Sequence, residues 1–194
     1  SVFETNMSDV SFKAKIRPVT VSEFTRHRML TFHKVDYPWT ANETVKATKA
    51  YTTDIYDCTA GGIVDSHNNV VMFHICPTQK ENSDFDNIEK HIMGMVDEGN
   101  NNLSGFLVGS LDLFRDSSMM FKKLHRMLKN HNIPTTILRG TKEQRTDILY
   151  NAKKDEWLVT NHNINQKIHN GQNTPETILS DSFDEVSLSN IDSL

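Results

Sequence analysis

The clearest pattern in the chain is a pair of apolar runs on either side of a short polar segment. Residues 61–64 are apolar or small, residues 66–69 are turn-forming, and Val70–Ile75 is apolar except for His74. Two runs of strand length joined by such a segment predict a β-hairpin. With the turn centred between residues 67 and 68, Gly61 lies opposite His74. Cys58 then lies just beyond the paired end of the hairpin, at the same end as His74.

Two later segments repeat apolar residues with the period of an amphipathic helix. In the first, Ser83 or Asp84 is placed to cap the start and Gly99 is placed to end the helix. The second begins near Met120. The apolar positions are Phe85, Ile88, Ile92, Met95 and Val96 in the first segment, and Met120, Phe121, Leu124 and Leu128 in the second.

Short apolar runs predict four further strands. They cover residues 104–110, 135–138, 147–150 and 157–160. The first 45 residues show no firm period, apart from a short helix predicted within residues 21–32. Strands outnumber helices, and the hairpin pattern favours mixed or antiparallel sheets over a purely parallel sheet. The predicted fold class is therefore α+β, or loosely α/β.

Length and composition divide the chain into three parts. A chain of 194 residues is long enough for one domain with a core, but short for two. Residues 163–194 are polar and acidic, with scattered apolar positions, and this composition predicts a flexible tail. We therefore expect an N-terminal extension packed on the domain at 1–45, the main domain at 46–162 and the acidic tail at 163–194.

Charge and cysteine content narrow the possible partners. The net charge of −4 is carried by the tail, so the rest of the chain has no basic field for nucleic acid or an anionic membrane. No apolar run is long enough to cross a bilayer, and no ordinary secretion signal is visible. The two cysteines form neither a disulfide framework nor a paired zinc motif, so we expect a reducing compartment.

Cys58 and His74 are the candidate nucleophile and base. A thiol needs a neighbouring imidazole to populate the reactive thiolate at neutral pH, and the hairpin brings both residues to one end. The Gly61-Gly62 pair is expected to let the backbone bend and approach a ligand there. The alternative is a buried core cysteine beside a histidine that is only hydrogen-bonded. A third group would hold the imidazole in its working tautomer, and the candidates are Thr52, Thr53, Asp54 and Asp57.

Several other residues are expected to be structural. Cys76 has apolar neighbours, which indicates a thiol in the core. His67 is expected to be solvated in the hairpin turn, and His125 to lie on the exposed side of its helix. For His162, a surface position and a buried one are equally open. Asp112 and Arg115 are expected to pair with each other rather than to line the cleft. Trp39 and Trp157 are expected to lie in or beside the core.

The order of the candidate site residues resembles that of the CheD chemotaxis deamidases. That family has a Thr, a Cys six residues later, a Gly pair and an H-x-x-x-P motif after an apolar strand. The chain has Thr52, Cys58, Gly61-Gly62, His74 and Pro77 in that order, and the resemblance covers about residues 50–160. The catalytic domains of cytotoxic necrotizing factor and Burkholderia lethal factor share the same Thr-Cys-His order. The chain departs from the family in three places: Asp57 replaces a small residue, the histidine motif is one residue shorter, and Ser110 replaces a glycine.

The resemblance implies a protein-glutamine deamidase with sandwich-like mixed β-sheets flanked by helices. Cys58 would attack the carboxamide of a target glutamine, His74 would act as the base and protonate the departing ammonia, and Thr52 would orient His74. Water would then release glutamate, with no cofactor and no metal. We expect a monomer that acts on another protein, either in the bacterial cytoplasm or as a toxin or effector in the cytoplasm of a host cell.

Three alternatives stay open at this point. A transglutaminase would pass the same acyl group to an amine, and a cysteine protease would use the same pair to cut a peptide bond. A protein-binding module could have kept the fold with an unreactive Cys58.

Overall fold

The computed structural model describes residues 14–29, 33–34, 44–45, 50–77, 81–99, 102–109, 115–139, 144–163 and 184–185. The helices in these ranges are α1 (Val21–Arg28), α2 (Glu81–Asp97) and α3 (Arg115–Asn130). The strands are β1 (Ile16–Pro18), β2 (His33–Lys34), β3 (Thr44–Val45), β4 (Ala50–Ile55), β5 (Thr59–Val64), β6 (Val70–Ile75), β7 (Ser104–Gly109), β8 (Thr135–Arg139), β9 (Gln144–Asn151), β10 (Glu156–Asn163) and β11 (Asp184–Glu185).

The strands form two mixed sheets. Sheet A has five strands in the order β1-β10-β9-β4-β2, and sheet B has six in the order β11-β8-β7-β5-β6-β3. Each sheet combines parallel and antiparallel pairs; in sheet B, for example, β7 is parallel to β8 and antiparallel to β5. The α+β prediction with mixed sheets is therefore confirmed. No described helix is long and apolar enough to cross a membrane.

Alternation along the strands shows which side each sheet faces. On β9 and β10, Ile148 and Val159 belong to the main core, whereas Leu149 and Leu158 pack with Phe24 of α1 in a separate small cluster. The inner face of sheet A therefore covers sheet B, and α1 covers its outer face. On sheet B, the Cβ position of Gly109 meets the ring of Phe121 in α3, so α3 covers the side turned away from sheet A.

The hairpin prediction is confirmed, with a register one residue away from the expected one. β5 and β6 are antiparallel, and Ala60 rather than Gly61 lies opposite His74. The loop has three residues, because the Asp65 N–H donates to the Asn69 carbonyl, and Asn68 adopts a left-handed conformation at φ 61°. Three-residue hairpins commonly use such a residue at their last position. The register shift changes which residues share a face.

A β-bulge interrupts β4 between Thr52 and Ile55. Thr52 pairs with Ile148 and Ile55 pairs with Thr146, so β4 has one residue more than β9 between these pairs. The extra residue resets the alternation, and both Thr52 and Ile55 are buried. Asp54, in the bulge, adopts a φ of 60° and is exposed.

The remaining predicted elements are found with adjusted ends. α2 begins at Glu81, before Ser83 and Asp84, so neither of these residues caps it. Gly99 follows the helix at a φ of 86° and donates its N–H to the Val96 carbonyl, as the end signal predicted. His125 is 1% exposed, which corrects the expectation of a surface position. Pairing of Asp112 with Arg115 lies outside the described residues, as does Trp39.

Parts of both chain ends contact the sheets. β1 pairs parallel to β10 at the edge of sheet A, and α1 packs on the same sheet. β11 pairs antiparallel to β8 at the edge of sheet B. Segments from both the predicted N-terminal extension and the predicted tail therefore add strands to the two sheets.

Candidate active site

A hydrogen bond between Thr52 and His74 joins the two sheets in the core. The Thr52 Oγ1 and His74 Nδ1 atoms are 2.7 Å apart, and the two residues are 1% and 3% exposed. Thr52 comes from β4 of sheet A and His74 from β6 of sheet B, so the pair forms only when the sheets pack face to face. Of the four candidates for the third group, Thr52 is the one placed against the imidazole. Asp54 and Asp57 are exposed.

Cys58 lies on the same face of sheet B as His74. Ala60 is directly opposite His74, and Cys58 is two residues before Ala60, so the side chains of Cys58 and His74 are diagonal neighbours. Such neighbours are about 7–8 Å apart in antiparallel sheets, within the combined reach of a thiol and an imidazole. Cys58 is 5% exposed. Thr52 and His74 are therefore in contact, and Cys58 lies diagonally across from His74 on the same face.

Cys58 is joined to Cys76 by a disulfide, which corrects the prediction of an independent core thiol at Cys76. The hairpin register continued by one residue beyond Thr59 and Ile75 places the two cysteines opposite each other, and their Cα atoms are 4.3 Å apart. Cys76 is only partly buried. The expected register hid this pairing, because it set Cys58 against Pro77. In the disulfide form, Cys58 has no thiolate to offer.

The two glycines of β5 allow close packing, Gly61 against β7 within sheet B and Gly62 against sheet A. β5 runs straight through Gly61 and Gly62 as a buried strand, without the expected bend. A Cβ on Gly61 would collide with the Phe106 carbonyl of β7, and a Cβ on Gly62 would lie 2.8 Å from the Trp157 ring in sheet A. Trp157 is 3% exposed and packs against Phe106, as expected for a core residue.

Asp57 places a carboxylate next to the candidate nucleophile. Its Oδ1 atom lies 3.6 Å from the Cys58 Sγ atom. The disulfide sulfur carries no proton, so this contact becomes a hydrogen bond only when Cys58 is reduced. Asp57, Cys58 and Cys76 also have donor atoms within 4.8 Å of one another, which is a possible set of metal ligands. That set requires both cysteines to be reduced, because zinc binds the thiolate and not the sulfur of a disulfide.

A second buried histidine lies on the outer face of sheet A, and the sequence did not identify its surroundings. The His162 Nε2 atom is 3.3 Å from Asp147 Oδ1 and 3.6 Å from Asp54 Oδ1. Asp147 Oδ1 also accepts the Asp54 N–H at 2.8 Å, so it satisfies the bulged backbone. The three side chains offer a possible metal-ligand set. The Arg145 guanidinium, 3.8 Å from Asp54 Oδ1, already balances part of their charge.

Two surface cavities lie at the other end of the hairpin. Each has a volume of about 250 Å³, and Asp65 of the hairpin turn lines both.

Two comparisons with known proteins identify no relative of this chain. A scan against protein-family models finds no match, and a search of curated proteins finds no significant match. The resemblance to the CheD-type deamidases therefore rests on the order and spacing of Thr52, Cys58, Gly61-Gly62, His74 and Pro77.

Proposed function

We propose that the chain is a protein-glutamine deamidase in which Cys58 is the nucleophile, His74 the base and Thr52 the residue that orients His74. The observation that carries the proposal is the buried Thr52–His74 hydrogen bond of 2.7 Å, with Cys58 on the adjoining strand of the same face. A histidine fixed on one side by a hydrogen bond, with a cysteine within reach on the other, is the arrangement that activates a thiol.

Thr52 has a definite part in this chemistry. If Thr52 Oγ1 accepts a hydrogen bond from His74 Nδ1–H, the lone pair of the ring is on Nε2, and Nε2 can take the proton of the Cys58 thiol. A neutral hydroxyl partner fixes the tautomer without adding a negative charge to the core. Burial of both residues keeps water from competing for Nδ1.

The reaction follows from these positions. The Cys58 thiolate adds to the carboxamide carbon of a glutamine side chain, and His74 gives its proton to the nitrogen that leaves as ammonia. The resulting thioester is hydrolysed by a water molecule that loses its proton to His74, and the side chain leaves as glutamate. Asp57, next to Cys58 in the chain, is exposed, so a glutamine of a target protein would approach the site from this side.

The direct test looks for modified glutamines in proteins. Purified protein kept in a thiol reductant is incubated with a eukaryotic cell lysate in heavy-oxygen water, and Cys58→Ser serves as the matched control. We expect a small set of glutamines to become glutamates that carry heavy oxygen with the native chain and none with the variant. A biotinylated amine in a parallel sample reports transglutaminase activity, and new peptide termini report proteolysis. Either of these results without deamidation would contradict the proposal.

A second test needs no substrate. Iodoacetamide labelling of the reduced protein is measured against pH in the native chain and in His74→Ala. We expect Cys58 to label rapidly well below pH 8, near which an ordinary thiol ionises, and to slow when His74 is absent. Cys76 provides an internal reference in the same sample. Equal labelling of Cys58 in both proteins would contradict the role of His74.

The disulfide favours one other candidate function. A covalent bond between Cys58 and Cys76 stabilises the open end of the hairpin, as expected of a protein-binding module with an unreactive Cys58. Such a module would show no labelling dependence on His74 and no modified glutamines in the lysate.

A further inference from the structure

Both cysteines of the chain are engaged in one bond, and one of them is the nucleophile proposed above. The 194 residues contain two cysteines, so a single intramolecular disulfide is possible within them. They lie opposite each other one residue beyond the paired ends of β5 and β6. The bond therefore has one possible intramolecular arrangement, and it removes the nucleophile whenever it is closed.

We propose that Cys76 is the resolving thiol of a reversible disulfide that masks Cys58, so that the site becomes reactive only after reduction. The inference rests on the proposed function, because the masked sulfur is its nucleophile. A chain of this kind is inert in an oxidising environment and becomes active where low-molecular-weight thiols such as glutathione are abundant.

The exposure of the two cysteine residues sets the direction of the exchange. Cys58 is 5% exposed, whereas Cys76 is only partly buried. An external thiolate therefore reaches the Cys76 sulfur first, forms a mixed disulfide with it and releases Cys58 as the leaving thiolate beside His74. A second external thiol then attacks the mixed disulfide, and Cys76 leaves as a thiol. Two external thiols become one disulfide, and the protein gains two electrons and two protons.

The fold holds the remaining site residues in place independently of the bond. Thr52 contacts His74 from the other sheet, so this hydrogen bond does not depend on the cysteines. At the far end of the hairpin, Asp65 accepts the N–H groups of His67 and Asn69 with its carboxylate and fixes the turn. Opening the disulfide therefore changes the state of Cys58 without requiring a new strand register.

The experiment is a redox titration of the full chain. The protein is equilibrated in mixtures of reduced and oxidised glutathione, quenched with acid, alkylated and weighed by mass spectrometry. Metal chelator is present throughout, because reduced Cys58 and Cys76 with Asp57 are possible metal ligands. Two matched variants accompany the native chain: Cys76→Ser keeps the nucleophile and cannot close the bond, and Cys58→Ser keeps only the resolving thiol.

We expect Cys58 of the native chain to pass from complete protection to complete labelling across the range of glutathione ratios. In Cys76→Ser, Cys58 should label throughout that range, except where it forms a mixed disulfide with glutathione. Circular dichroism verifies that each variant is folded. Labelling of native Cys58 in oxidising buffer at the rate of Cys76→Ser would overturn the proposal. So would a disulfide that glutathione fails to reduce, because that bond would be structural.

Glutamine modification in the lysate assay separates this proposal from the proposed function. If both are right, the native chain deamidates only after reduction, whereas Cys76→Ser deamidates without that step. If the titration shows a reversible mask and neither protein modifies glutamine, the redox chemistry stands and the deamidase assignment fails. If reduction exposes no labelling and Cys76→Ser still deamidates, the deamidase stands and the mask is wrong.

Discussion

His74 and His162 are both buried histidines near β4, but they have different neighbours. His74, on β6 of sheet B, faces the inner side of sheet A, whereas His162, on β10, lies on the outer side of sheet A. His74 contacts a neutral hydroxyl at 2.7 Å and lies on the face that carries Cys58. His162 lies 3.3 Å from the Asp147 carboxylate and 3.6 Å from Asp54, with no cysteine on its face among the described residues. Burial alone therefore does not mark a catalytic histidine.

The kind of neighbour separates the two histidines. The partner of His74 Nδ1 is a neutral hydroxyl, whereas two carboxylates lie within 3.6 Å of His162 Nε2. The carboxylate at Asp147 also holds the bulge through the Asp54 N–H. We therefore place the proposed chemistry on the His74 face and expect a structural role for the His162 face.

The largest expected effect comes from removing each histidine in turn. His74→Ala should lower the deamidation rate by as much as about 10⁶-fold, the loss that follows removal of a triad base, because the Cys58 thiol loses its proton acceptor. His162→Ala should leave the rate within a few-fold once the folded fraction is matched. Rates from the heavy-oxygen assay, with folded protein measured by circular dichroism, make the comparison. Equal losses from both substitutions would remove the distinction between the two faces.

The next effect isolates the hydroxyl of Thr52. Thr52→Val keeps the side-chain shape and removes the hydrogen bond to His74 Nδ1, so the imidazole is no longer held in one tautomer. We expect the rate to fall about 100-fold, with a changed pH dependence of Cys58 labelling. Thr52→Ser retains the hydroxyl and should recover most of the rate. If Thr52→Val behaves like Thr52→Ser, orientation by this hydrogen bond is contradicted.

A smaller effect is expected for the carboxylate on the outer face. Asp147→Ala leaves the Asp54 N–H and His162 without that acceptor and should lower the free energy of unfolding by about 1–3 kcal/mol. Cys58 labelling in the folded protein should be unchanged. Asp54→Asn, at an exposed position that tolerates a left-handed conformation, is the matched control and should cost less. Urea unfolding measures both variants, and a lost labelling response in Asp147→Ala would link the two faces.

The smallest effect concerns an ion pair that ties β1 to α1 on the outer side of sheet A. Arg17 donates to Glu23 at 2.8 Å, and this hydrogen bond lowers the pKa of Glu23 below its ordinary value. Its contribution to stability is therefore present above the ordinary pKa of Glu and is lost as the pH falls through the lowered one. Both side chains are partly exposed, so Glu23→Gln should cost about 0.2–1 kcal/mol at neutral pH.

The pH dependence supplies the control for that substitution. The difference in unfolding free energy between native chain and Glu23→Gln should shrink as the pH falls below about 4, because protonated Glu23 resembles the amide. Cys58 labelling should not respond. A difference that stayed constant with pH would contradict the ion pair as its source.

Much of the local structure could be predicted from the pattern of apolar residues. The hairpin, the helices around Ile92 and Leu124 and the short strands all follow from period and turn residues, because these depend on nearby chain geometry. Helix ends were less predictable. α2 starts at Glu81, two residues before Ser83, and helix ends commonly differ from a predicted cap by one or two residues. The burial of His125 depended on which helix face met sheet B.

The sequence by itself determined the hairpin, the three helices, the strands from Ser104 to Asn163 and the three candidate residues of the site, but not the strands near the two chain ends. Only the tertiary structure decided that Thr52 of one sheet meets His74 of the other, that Cys58 pairs with Cys76, and that Asp54 turns outward to His162. The physical reason is that alternation in a strand has a period of two, so a register shift of one residue or a single bulge changes the face of every side chain beyond it. Apolar patterns predict where the strands lie, but they do not determine the strand register to within one residue or the position of a bulge.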